Sequence, residues 1–151
     1  MPDRLSATSV EVPGVSFRPW IGTEYASSGL DGMKVLILGE SFYGPLDPSD
    51  AANLPSLTEV VVRAYIAKPA GLRIFGMVEE LCGRMRSTGE TERLAFWNCV
   101  AFGNFIQDLL VDRSSEHRPT AQQWSEARSA FLDLLDALRP DAASCLARVS
   151  G

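Results

Sequence analysis

The run Val35 to Leu38, leucine and β-branched throughout and preceded by the Asp31-Gly32 turn signal, predicts a strand buried on both faces of a parallel sheet. Downstream the period changes. Ser56 with Glu59 three residues on has the capping-box pattern and opens an apolar segment, Val60, Val61, Ala64 and Tyr65, that predicts a helix. A second helix is expected from Arg73 to Arg86, with Ile74, Met77, Val78, Leu81, Cys82 and Met85 on one face. The polar stretch STGETE then breaks the chain before Leu94 to Phe102, LAFWNCVAF, which is short, aromatic and β-branched enough to predict a second buried strand ending at Gly103 and Asn104. Thr120 with Gln123 repeats the capping box. From there Trp124, Ala127, Phe131, Leu134, Leu135 and Leu138 keep helical spacing up to Arg139 and Pro140.

Strand, helices, strand, helix is the order of an α/β domain, a parallel sheet with helices on its faces joined by right-handed crossovers. The first thirty residues mix Ser, Pro and Gly with isolated aromatics, which suits an N-terminal arm (residues 1–30) packed on a single α/β domain (residues 31–151), with Trp20 and Tyr25 as anchors. The length, 151 residues with 46% apolar content, suits one core rather than two.

A net charge of -5 excludes a chain-wide basic surface, so any nucleic-acid binding rests on a local site. The three cysteines, Cys82, Cys99 and Cys145, are far apart in apolar runs and have neither metal-ligand nor disulfide-framework spacing. No metal or cofactor is expected. No secretory leader pattern or membrane-length apolar stretch occurs, and a cytoplasmic location is the default. The single His117, in SSEHRPT, reads as a surface residue in a loop.

In open parallel sheets ligands bind beyond the carboxyl ends of the strands. Gly39, Glu40, Ser41, Phe42, Tyr43 and Gly44 occupy the first such position, a turn with glycine at both ends and a carboxylate, a hydroxyl and two aromatic rings between them. Those glycines could equally just turn the chain while the rings cap the core. Asn98, Asn104 and Gln107 offer amides able to read the edge of a planar heterocycle. Against that, Asn98 could be a buried amide satisfied by backbone, and Asn104 an N-cap for a short FIQDLL helix.

KVLILGESFYG, the Asn-bearing LAFWNCVAF and the capped helix ending in LRPD together resemble the uracil-DNA glycosylase superfamily, especially its poorly characterised bacterial branch, from about Trp20 to Asp141. The resemblance implies a three-layer α/β/α sandwich and a DNA-repair hydrolase that takes a flipped base from DNA. It places Gly39 and Glu40 at the opening of the first motif, Tyr43 as the aromatic screening the 5-position of the base, and Asn98 as the amide reading the uracil edge. Glu40, set near the sugar, would favour an oxocarbenium-like transition state and orient water, and Phe42 or Tyr43 would stack on the base. Two features depart from the superfamily: Ser41 stands where its best-studied members have Asp or Asn, and nothing matches its late His motif. After LRPD the chain reads AASCLARVSG, small and polar where valines are expected, which suggests a fold incomplete at its C-terminal end, from truncation or a frameshift, with an open sheet edge for a partner or second copy to cover.

Two other readings fit the same turn. KVLILGES resembles the Gly-Asp-Ser block of a lipase and esterase family, with Ser41 as nucleophile and Gly103 and Asn104 as oxyanion donors. A non-catalytic module that binds free nucleobase is the other.

Overall fold

The computed structural model describes residues 11–43, 54–69, 73–83, 89–110 and 118–145. Its main sheet has the order β1-β4-β2-β6, made of β1 (Trp20–Ile21), β2 (Val35–Gly39), β4 (Val100–Asn104) and β6 (Ala142–Cys145). Strand β2 is central and runs parallel to both β4 and β6, while β1 closes the far edge antiparallel to β4. A two-stranded parallel ribbon, β3 (Phe42–Tyr43) with β5 (Leu109–Leu110), extends from the ends of β2 and β4. The helices are α1 (Leu57–Ala67), entered through a 3₁₀ turn at Leu54–Ser56, then α2 (Arg73–Gly83), α3 (Glu90–Asn98) and α4 (Ala121–Leu138).

Strand periodicity sorts the core into two halves. Ile37, Val100 and Phe102 face α1, α2 and α3 through Val62, Tyr65, Ile66, Phe75, Val78 and Trp97. Leu36, Leu38 and Ala101 face Leu134 and Leu138 of α4, with Val12, Ile21 and Tyr25 from the N-terminal segment. The expected strand at Val35 to Leu38 is there, launched by a tight turn in which Asp31 and Gly32 both take positive φ, 51° and 81°, between paired Leu30 and Met33. Trp20 and Tyr25 are buried anchors, 1% and 2% exposed. The segment that carries them does more than lie on the surface, because Trp20 and Ile21 are hydrogen-bonded into the sheet. The weak AASC segment also forms a strand, held against β2.

Three expectations need correction. The strand expected over Leu94 to Phe102 is a helix as far as Asn98 and a strand only from Val100. Glu90 and Glu92 in its first turn suit the positive end of a helix, and both indoles at this point need the helical geometry: Trp97 Nε1 donates to Glu79 Oε1 at 3.0 Å, and Trp20 Nε1 donates to the Trp97 carbonyl at 2.8 Å. The apolar face assigned to α2 is rotated: Val78 is buried as expected, but Ile74, Met77 and Leu81 are 40%, 54% and 72% exposed, and Phe75 and Glu79 are buried in their place. A fully buried glutamate, bonded to Trp97, occupies a core position that lies outside the apolar face read from periodicity. Ser56 precedes α1 but makes no side-chain cap; Glu59 instead pairs with Arg63 one turn later, at 2.9 Å. The capping box at Thr120 and Gln123 is present in both directions.

Candidate functional site

The register of the two central strands sets Gly39 beside Asn104, so the turn after β2 and the turn after β4 leave the sheet together at its carboxyl end. Two further bonds fasten them, Phe105 N–H to the Gly39 carbonyl at 2.9 Å and Ile106 N–H to the Glu40 carbonyl at 2.8 Å. Any side chain at position 39 would have to displace the Asn104 amide. A Cβ there would lie 2.3 Å from Asn104 Oδ1 and 3.3 Å from Phe102 Cζ, so the Asn104 amide packs directly on the Gly39 backbone.

Asn104 is 4% exposed, and its side-chain amide forms no hydrogen bond to any described residue. The backbone carbonyl of Asn104 accepts from Gln107 Nε2 at 2.7 Å, and Gln107 Oε1 in turn accepts from the Phe17 N–H at 3.1 Å. Phe17 meets Phe42 edge to face, ring centroids 5.3 Å apart. Gln107 thus pins the N-terminal segment to the turn through the Asn104 backbone and not through its side-chain amide.

On the α4 side of the same turn, Glu40 Oε2 accepts from Arg118 Nη2 at 3.2 Å; the Glu40 side chain is 12% exposed and that of Arg118 is 40% exposed. Arg118 is brought there by α4, whose capped N-terminus lies at the carboxyl end of the sheet, with Gln123 bonded to Asp108 at 3.2 Å. Next to it, Phe105 packs on Trp124 and Phe131 of α4, with centroids 5.6 and 5.5 Å apart. Ser41 Oγ is wholly buried and has no hydrogen-bond partner among the described residues.

Of the residues expected at the site, Gly39, Glu40, Ser41, Phe42, Tyr43 and Asn104 come together, Tyr43 through its backbone pairing with Leu110. Gly44 and His117 lie outside the described residues. Asn98 does not belong. It ends α3 at the opposite end of the sheet, where its carbonyl accepts from the Glu24 N–H at 2.8 Å, and β4, roughly 13 Å long, separates it from Asn104. Asn104 is not a helix N-cap either, since the segment that follows turns into β5. Arg118 and Phe17 complete the site without any signal in the sequence: one sits in a polar stretch and the other among isolated aromatics, with no spacing that ties either to the turn.

Comparison with protein-family models, curated proteins and solved structures returns no match. The site's own geometry therefore carries the functional argument.

Proposed function

We propose that the carboxyl-end crevice of β2 and β4 recognises a flipped uracil or related base in DNA and hydrolyses its N-glycosidic bond, in the manner of the uracil-DNA glycosylase superfamily. The observation that carries this reading is Asn104, 4% exposed, whose side-chain amide pairs with no described residue and is held at the strand end where such folds bind ligands. An amide presents an acceptor and a donor side by side, which complements the N3–H and adjacent carbonyl of uracil. On this reading Asn104 takes the base-reading role that the resemblance gave to Asn98. Phe42, backed by Phe17, supplies an aromatic surface for the base. Glu40 places a carboxylate where positive charge develops on the sugar as the bond to the base lengthens, and it orients the water that adds to C1′. A sheet packed by α1, α2 and α3 on one face and by α4 on the other is compatible with the three-layer sandwich of that superfamily.

The serine-hydrolase alternative is weakened by the burial of Ser41 Oγ, because a nucleophile must reach its substrate and needs a base within hydrogen-bond distance. A fluorophosphonate probe tests it: labelling that disappears in Ser41→Ala would replace the glycosylase reading. For the glycosylase reading, single- and double-stranded uracil-containing DNA is incubated with the protein and abasic sites are measured by alkaline cleavage. Cleavage lost in Asn104→Ala and Glu40→Gln supports it; binding of free uracil without cleavage leaves a nucleobase-binding module.

A further inference from the structure

The ion pair between Glu40 and Arg118 joins two residues 78 positions apart, and its halves differ. Glu40 is mostly covered, whereas Arg118 is 40% exposed and makes one described hydrogen bond, through Nη2. An arginine fork holds five N–H donors in a plane and suits two oxygens of a phosphate as well as those of a carboxylate. On a chain with a net charge of -5, a polyanion can be held only by cations placed locally, and Arg118 stands half-exposed beside the turn that follows β2.

We propose that Arg118 is the phosphate-binding residue of this site, and that its ion pair with Glu40 holds the place a nucleic-acid phosphodiester takes. Binding then has two consequences. The guanidinium exchanges one carboxylate for a phosphate, so the strand is gripped next to the nucleotide whose base enters the crevice. The Glu40 carboxylate gives up its pairing with Arg118 as the strand binds. Arg118 thus couples strand binding to the charge balance at Glu40. The choice of nucleic acid as ligand rests on the function proposed above, but phosphate recognition can be read without any glycosylase chemistry.

The test is fluorescence anisotropy with a short labelled oligothymidylate, which contains no uracil, over a series of salt concentrations. Arg118→Ala weakens binding about tenfold and lowers the log–log salt slope by about 0.7, the value of one single-strand phosphate contact. Arg118→Lys retains most of the slope. Glu40→Gln frees the arginine and tightens binding several-fold, a gain that vanishes in the Glu40→Gln, Arg118→Ala double variant. The exposed control Glu126→Gln removes the same charge on α4 and gives a much smaller gain. The inference is overturned if the wild-type protein does not bind the oligonucleotide, if Arg118→Ala leaves the slope unchanged, or if Glu40→Gln and Glu126→Gln act alike. Oligonucleotide binding with these signatures but no uracil excision would uphold Arg118 and reject the glycosylase; excision with an unchanged slope would do the reverse.

Discussion

Replacing Gly39 by alanine tests the packing that defines the site. The new methyl would sit 2.3 Å from Asn104 Oδ1, about 1 Å inside ordinary contact, and 3.3 Å from Phe102 Cζ. Gly39 is hydrogen-bonded on one side to β4 and gives its carbonyl to Phe105, so the backbone has little room to retreat and Asn104 has to leave its rotamer. Overpacking of this kind costs about 1–3 kcal/mol. In a chain of this size each kcal/mol corresponds to roughly 2–4 °C in Tm, so Gly39→Ala is expected to melt several degrees lower and to lose base binding. Asn104→Ala should behave differently. It removes a buried amide that pairs with no described residue, so its stability cost is below about 1 kcal/mol, while binding is lost. Combined, Asn104→Ala relieves the clash, and a double-mutant cycle by urea denaturation gives a coupling of about 1–3 kcal/mol in favour of the pair. If Gly39→Ala costs the same with and without the Asn104 side chain, the amide is not where we place it.

Other expectations concern the scaffold. Thr120→Ala loses the Gln123 N–H bond and one half of the capping box, and urea denaturation should show a loss of about 1 kcal/mol. Glu79→Ala leaves the buried Trp97 indole without its acceptor and costs about 2–4 kcal/mol, whereas Glu79→Gln, which keeps an oxygen at that position, costs clearly less; equal losses would mean the contact is incidental. Tyr25 is driven up to about 12 by its burial and by the nearby Asp141 carboxylate. Because the folded phenol holds its proton more tightly than the unfolded one, its contribution is fully present below pH 10 and is lost as the pH rises towards 12. Denaturation curves across that interval should show the fall in wild-type protein and lack it in Tyr25→Phe.

The central strand, the Asp31-Gly32 turn and the α4 capping box were legible because each depends on neighbours in sequence: a solid apolar run, two residues that tolerate positive φ, and a Thr and Gln three apart. The turn after Gly39 was legible as a strand end for the same reason. What the sequence concealed depends on distant partners. Residues 94–98 look like the start of a strand until Trp97 is seen bonded to Glu79 and carrying Trp20, and that is also why the sequence sets Asn98 in the pocket beside Asn104. The burial of Glu79 turned α2 against its own hydrophobic pattern. Arg118 gives no local sign that it meets Glu40, since only the approach to α4 brings the two together.

The most direct test of the account is a ¹H–¹⁵N correlation titration of the protein with free uracil. The account predicts saturable shifts in the Asn104 side-chain amide and in the backbone amides of Gly39 to Tyr43, with no change at Asn98, and their loss in Asn104→Ala. Shifts centred on Asn98, or no saturable shift at the turn, would contradict it.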